Sequence, residues 1–144
     1  MIIEHFKDSD AHDAAELEKK VFSDPWSEKS FSECSSNPSD IYLAVRCDGV
    51  LTGYCGMWCV AGEGQITNVC VHPDYRKQGI AFNMLSRLIA EGKEKGCSAF
   101  TLEVRVSNES AIRLYEKLGF KSAGIRKKFY SHPDEDAMIM WLYT

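Results

Sequence analysis

Val69-Cys70-Val71-His72-Pro73-Asp74-Tyr75-Arg76-Lys77-Gln78-Gly79-Ile80-Ala81 is the stretch on which the reading of this chain turns. Apolar residues lead in as a strand, Pro73 and Asp74 break it, a basic loop carrying Gly79 follows, and an amphipathic run begins at Ile80. A strand, a short basic loop and a helix in immediate succession make an anion site. The first-turn amides of the helix lack acceptors within it, the helix dipole adds partial positive charge, and Arg76 and Lys77 add full charges. Gly79 lets the backbone approach its ligand closely, and a pyrophosphate suits such a cradle. The short pattern R-x-x-G-x-A formed by Arg76, Gly79 and Ala81 recurs by chance in about one chain of this length in ten on average residue usage. A solvated loop with a turn glycine would carry it equally well, so the flanking elements decide.

Downstream, Ala81, Met84, Leu85, Leu88, Ile89 and Gly92 recur three and four apart, which predicts an amphipathic helix stopped by Gly96. Residues 99–106 alternate, with Phe100, Leu102 and Val104 on one face and Thr101, Glu103 and Arg105 on the other. Residues 108–118 read as a helix capped by Ser107 or Asn108 and ended by Gly119. Residues 120–130 and 137–143 form a last antiparallel pair around Ser131-His132-Pro133-Asp134. Upstream, residues 1–6 are a strand, and Ser9 or Asp10 caps a helix that carries Ala14, Leu17, Val21 and Phe22 and ends at Pro25. A short helix over 27–36 follows. Strands 41–47 and 50–60 meet at Asp48-Gly49, a two-residue hairpin pair, and a Gly62-Glu63-Gly64 turn leads to strand 65–71. The strand, helix, strand unit in the middle implies a right-handed crossover joining two parallel strands of a mixed sheet. The expected class is α/β (α+β), with a mixed, mostly antiparallel sheet flanked by helices.

The 144 residues suit one domain with one core, spanning 1–144. The first residues, MIIEHFKDSD, contain no basic segment leading into an apolar run, and nothing is long enough to span a membrane, so a cytoplasmic protein is expected. A formal net charge of −4 argues against non-specific nucleic-acid binding and favours a basic partner. Cys34, Cys47, Cys55, Cys59, Cys70 and Cys97 include no CxxC pair, and His5, His12, His72 and His132 have no ligand spacing. Reduced thiols acting as small core residues are expected, and no metal.

In this context the loop and its flanks resemble the GNAT N-acetyltransferase superfamily. The resemblance extends to Asp24-Pro25-Trp26-Ser27-Glu28, Leu102-Glu103-Val104-Arg105, Ser107-Asn108, Ala111-Ile112, Leu114-Tyr115-Glu116, Leu118-Gly119-Phe120, Tyr130 and Glu135-Asp136-Ala137-Met138-Ile139-Met140. In that order, over essentially the whole chain, these motifs are similar to those of the bacterial ribosomal-protein alanine N-acetyltransferases. The resemblance implies the GNAT fold, acetyl-CoA as co-substrate, and transfer of an acetyl group to the N-terminal α-amine of a protein, a small-subunit ribosomal protein. It assigns Lys77, Gln78, Gly79, Ile80, Ala81 and Phe82 to the coenzyme phosphates. Val69, Cys70 and Val71 fall to pantetheine and the acetyl carbonyl, Asn108 to a further coenzyme hydrogen bond, Glu103 to the general base and Tyr115 to the general acid.

The residue types suit the chemistry. An α-amine of pKa about 7.7–8.0 is roughly a tenth neutral or more at pH 7, whereas a lysine amine near 10.4 is neutral in fewer than about one molecule in a thousand. A proton must leave that amine during attack and another must reach the departing thiolate, tasks for a carboxylate and a phenol. Read without the resemblance, Glu103 is a surface carboxylate paired with Arg105 or Arg113, and Tyr115 a core aromatic on the face of Ala111, Leu114 and Leu118. Asn108 is equally a plain helix cap. Trp26, Phe31 and Tyr130 either line an acceptor groove, with Glu28, Glu33 or Asp136 facing a basic substrate, or are packing anchors beside a solvated acidic face. Cys70 as an acetylated nucleophile is a rival mechanism. Two other functions stay open: a small-molecule amine as acceptor, and a coenzyme-binding module without turnover.

Overall fold

The computed structural model describes residues 1–34 and 37–144. Its elements are β1 (Ile2–His5), α1 (Ala11–Val21), α2 (Glu28–Cys34), β2 (Ile41–Cys47), β3 (Val50–Val60), β4 (Glu63–Val71), α3 (Ile80–Glu94), β5 (Ala99–Arg105), α4 (Glu109–Lys117), β6 (Lys121–Tyr130) and β7 (Glu135–Tyr143). One seven-stranded sheet runs in the order β1-β2-β3-β4-β5-β7-β6, with β4 and β5 its only parallel neighbours among the described residues. Ser35 and Ser36, the end of the helix expected over 27–36, lie outside the described residues.

Local differences from expectation have local causes. Helix α1 ends at Val21 rather than at Pro25: Phe22 is already extended (φ −116°, ψ 146°), and its N–H makes the last helical bond, to the Glu18 carbonyl. Asp10 stands at the cap position, but its carboxylate accepts from the Lys7 N–H at 2.9 Å and pairs with Arg46 at 2.7 Å instead of capping. The second hairpin turn falls at Ala61-Gly62 (φ 50° and 80°), and Glu63 and Gly64 already pair with Val60 and Cys59. Gly64 belongs in the strand because it leaves space: a Cβ there would sit 2.5 Å from Met57 Sδ and 2.6 Å from Phe100 Cδ1. Asp48-Gly49 turns as read, with φ 51° and 81°.

The decisive feature is where β4 and β5 part. Their parallel pairing covers only Glu63 with Ala99, Gly64 with Phe100 and Gln65 with Thr101. Beyond that, β4 stays with β3 as far as Val71 opposite Gly53, while β5 stays with β7 as far as Arg105 opposite Ala137. The register of β3 and β4 shifts between Gly56 and Met57, opposite Asn68 and Ile66, so Thr67 is the extra residue of a bulge. A bulge bends its strand, and this one stands where the separation begins. The sheet therefore opens as a V. One face is covered by α3 and α4 over Met57, Met84, Leu85, Leu88, Phe100, Phe120 and their neighbours; the other by α1 and α2 over Phe6, Leu17, Phe31, Tyr42, Tyr54 and Cys70.

Gly56, beside the bulge, is required by close approach. A Cβ on it would lie 2.1 Å from Tyr42 Cε1, in the body of a buried ring whose hydroxyl accepts from Trp58 Nε1 at 3.0 Å. Gly56→Ala is expected to cost about 1–3 kcal/mol, as overpacking of a filled core does, read as a lowered urea midpoint at unchanged slope.

Candidate active site

Beyond Gln65 the edge of β4 that faces β5 has no ladder partner among the described residues. His72 N–H donates to the Thr52 carbonyl at 2.7 Å, and Cys70 and Asn68 stand opposite Tyr54 and Gly56. Bonded and non-bonded pairs alternate in an antiparallel ladder, so Cys70 and Asn68 direct their amides to β3. The Val69 and Val71 amides then face the side that β5 has left.

Past the end of β4 the chain turns sharply into α3. Lys77 and Gly79 adopt left-handed backbone (φ 64° and 78°), which turns the chain into α3, and Asn83 N–H closes the first helical turn on the Gly79 carbonyl at 3.0 Å. The amides of Ile80, Ala81 and Phe82 are left facing outward. Space is not what selects glycine at 79, since a Cβ would meet only Asn83 Nδ2 at 3.5 Å; the backbone conformation is. A cavity of about 360 Å³ lies against this turn, lined among others by Val71, Lys77, Gly79, Phe82, Ser110 and Lys117. Lys117 was not legible as a site residue: it sits on the last turn of α4, and its ammonium lies 5.3 Å from the Phe82 ring centre. Outward amides beside Arg76, Lys77 and Lys117 fit a diphosphate.

A larger cleft of about 660 Å³ fills the V itself, and Val69, Glu103, Asn108 and Tyr115 all line it. Glu103 projects from β5 between buried Leu102 and Val104. Its side chain is 35% exposed and its ion-pair partner is Arg126 of β6, at 3.9 Å, neither of the two arginines anticipated. Those are engaged elsewhere, Arg105 with Glu135 at 3.3 Å and Arg113 with Glu109 at 3.9 Å. Tyr115 is buried on α4, edge-on to Phe120 at 6.1 Å, and burial pushes its phenol well above the ordinary range, with Tyr130 and Cys55 adding to it. Asn108 Oδ1 accepts from the Ala111 N–H at 3.3 Å, the cap geometry. Tyr130 faces Glu103: burial first, then the Glu103 charge, push its phenol up to about 12, and the Arg105 guanidinium sits 4.5 Å over its ring.

Two loops meet at the edge of the cleft. Ser23 Oγ donates to the His132 carbonyl at 2.6 Å, and His132 Nδ1 lies 3.0 Å from Asp24 Oδ2, joining the loop after α1 to that between β6 and β7. Arg105 steadies the second loop through the Pro133 and Ser131 carbonyls. Trp26 and Tyr130 line the cleft, whereas Phe31 is packed among Phe6, Trp26 and Tyr54, and Glu28, Glu33 and Asp136 do not line it. Gln78 and Cys70 line neither cavity. Burial, then the Glu18 charge, push the Cys70 thiol up to about 12, which leaves almost no thiolate at neutral pH and disfavours it as a nucleophile. Among the described residues no three His, Cys, Asp or Glu side chains converge as metal ligands do. Glu18, absent from the sequence reading of the site, lines the cleft from α1.

Comparison with known proteins places this architecture. Residues 11–120 match the family model described as Acetyltransferase (GNAT) family. A Bacillus subtilis (strain 168) protein that carries a provisional ribosomal protein bS18-alanine N-acetyltransferase name is 43% identical over 128 residues, 88% of this chain and 85% of its own. The ribosomal protein bS18-alanine N-acetyltransferase of Escherichia coli (strain K12) is 38% identical over 144 residues, 97% of this chain and 95% of its own. The crystal structure of the ribosomal-protein-S18-alanine N-acetyltransferase from Escherichia coli superposes with a TM-score of 0.89 at 34% identity, covering 99% of this chain and 92% of that one. The sheet order, the parted strands and the flanking helices are the GNAT fold, and the chain belongs to the GNAT acetyltransferase family.

Proposed function

We propose that the chain transfers an acetyl group from acetyl-CoA to the N-terminal α-amine of a protein, an alanine terminus of a small-subunit ribosomal protein. The observation that carries the reading is the meeting of Val69, Glu103 and Tyr115 in one cleft at the parting of β4 and β5, beside a diphosphate-sized cradle. The names of the relatives support the choice of acceptor.

Acetyl-CoA supplies the acyl group as a thioester. The α3 amides with Arg76, Lys77 and Lys117 hold the diphosphate. Val69 and Val71 amides align the pantetheine arm and donate toward the acyl oxygen, where negative charge grows as the amine attacks; one such donor contributes about 3 kcal/mol in other acyl transfers. Glu103 takes the proton the amine loses, directly or through a water, and Tyr115 protonates the departing sulfur. Residues 1–144 act as one unit in the cytoplasm, with a basic protein terminus as partner rather than nucleic acid or membrane. The net charge of −4 supports that choice, and among the described residues no helix is long and apolar enough to cross a membrane.

The test uses short alanine-initiated peptides that differ only in a free or blocked α-amine, with acetyl incorporation read by mass spectrometry. Only the free-amine peptide is expected to be labelled, and free small amines should compete weakly. Equal labelling of both peptides, or preference for small amines, overturns the reading.

A further inference from the structure

Arg105 ends β5 two residues after Glu103, and its guanidinium reaches across to the loop between β6 and β7. Nη1 donates to the Pro133 carbonyl at 2.9 Å and to Glu135 Oε1 at 3.3 Å, and Nη2 donates to the Ser131 carbonyl at 3.1 Å. Its Cζ lies 4.5 Å from the centre of the Tyr130 ring. Glu135 Oε2 accepts in turn from the Ser107 N–H at 2.7 Å, just before Asn108, the cap of α4. One side chain thus fastens residues 130–133 to the strand that carries Glu103 and, through Glu135, to the entry of the helix that carries Tyr115. Residues 130–133 line the same cleft as Glu103 and Tyr115, and Tyr130 feels the Glu103 charge. Residues 131–134 are all exposed, so packing does not hold them and polar contacts do. A further tie, from Ser23 and Asp24 to His132, comes from a second exposed loop rather than from the sheet. A guanidinium offers several N–H donors in one rigid plane, which suits two carbonyls, a carboxylate and a ring face together; a lysine ammonium does not. Arg105 does not line the cavity beside α3, so the diphosphate is not what it serves.

We propose that Arg105 is a positioning residue for the acceptor: it holds the Tyr130 ring and the backbone of residues 131–133 as a fixed wall beside Glu103, against which the incoming chain terminus is seated. The proposal rests on the reading of the chain as an acetyltransferase of protein N-termini. Arg105 does not touch the reacting atoms in this role. It acts through the wall, so its loss weakens acceptor binding: a mobile wall must be ordered each time a terminus binds, and that ordering is subtracted from affinity. Chemistry within the bound complex, which falls to Glu103 and Tyr115, is left largely intact. The cavity beside α3, where the diphosphate is proposed to sit, does not include this wall.

The experiment compares wild type and Arg105→Lys in steady-state kinetics on the free-amine peptide, with each substrate varied in turn. Arg105→Lys keeps the positive charge and the apolar stem but not the fork. It is expected to raise peptide KM about tenfold or more, while kcat stays within about threefold and the acetyl-CoA KM does not move. A side chain that merely supports the fold would shift all three together with the melting temperature. Amide exchange gives a readout that needs no acceptor: residues 127–134 should exchange faster in Arg105→Lys, with α3 unchanged. Should Arg105→Lys not fold, Glu135→Gln, which removes only the carboxylate arm, answers by the same split of KM from kcat with a smaller rise. Unchanged peptide KM in a folded variant, or equal exchange over residues 127–134, overturns the role of Arg105 alone. A rise in acetyl-CoA KM instead assigns the residue to the coenzyme and overturns that role as well. Failure of wild type to acetylate any free-amine peptide overturns it together with the functional reading.

Discussion

Glu103→Gln is expected to lower kcat by about 10²–10³-fold while leaving coenzyme affinity unchanged. Gln keeps the volume and the hydrogen-bonding oxygen but cannot take a proton at neutral pH, so what it removes is base strength alone. The proposed role is compatible with where the residue stands: it is on β5 at the mouth of the V, lines the larger cleft with Tyr115 and Val69, and does not line the cavity beside α3. Its contact with Arg126 is a 3.9 Å pair with the arginine 60% exposed, so losing it should change stability by no more than about 0.5 kcal/mol. The two roles weighed for this residue therefore separate cleanly. A purely structural carboxylate predicts a small shift in melting temperature and no change in rate; a base predicts the reverse. Steady-state kinetics by thiol release, with a thermal melt on the same samples, decides between them, and activity within about threefold of wild type would remove Glu103 from the mechanism. Glu103→Asp, which withdraws the carboxylate by one methylene, should fall between the two.

Much of this arrangement was legible in the sequence because it rests on local rules. Residues 69–81 announce strand, break, loop and helix through proline, glycine and periodicity, and Met84, Leu85, Leu88 and Ile89 are all buried as their spacing requires. Asp48-Gly49 forms the turn its residue types favour. The parting of β4 from β5 was not derivable from residue alternation, because alternation records which face a side chain takes and not which neighbour a strand keeps. The bulge at Thr67 that begins the parting carries no glycine or proline to announce it. Phe31 illustrates a second limit: aromatic character fits a groove wall and a core equally, and three ring partners put it in the core. Glu18 was passed over because a glutamate on an amphipathic helix is normally solvated. Yet it falls four residues after Ala14 and three after Ala15, on the same stripe as Ala11, and that stripe faces the sheet. A carboxylate on the apolar stripe of α1 was the signal available, and only the packing of α1 beside β4 gives it meaning.

Tyr115→Phe is expected to lower kcat by about 10²-fold or more with little change in peptide KM, since in the proposed mechanism the phenol acts on the leaving sulfur rather than on the acceptor. The objection to Tyr115 as an acid is its own burial, which raises its pKa and weakens it as a donor. The same surroundings act on the group it serves. A thiolate released beside this buried phenol is also desolvated, so its basicity rises in parallel and the proton transfer stays favourable. Burial has a second effect that can be measured. A phenol whose pKa lies above its ordinary value stays protonated through the whole neutral and moderately alkaline range, so the kcat profile should show no alkaline fall from Tyr115 below about pH 10. The sign for stability follows from the same shift. The unfolded phenol ionises near pH 10 while the folded one does not, so the stability this tyrosine lends is complete below pH 10 and declines as pH climbs toward the folded value. Removing the hydroxyl abolishes that dependence. Among the described residues it has no hydrogen-bond partner to lose, so Tyr115→Phe should match wild type in stability at pH 7 and surpass it above pH 10. Intact folding, preserved KM and a collapsed kcat together would establish the acid, whereas full activity in the Phe variant would assign the protonation of sulfur to another donor, with solvent the first candidate.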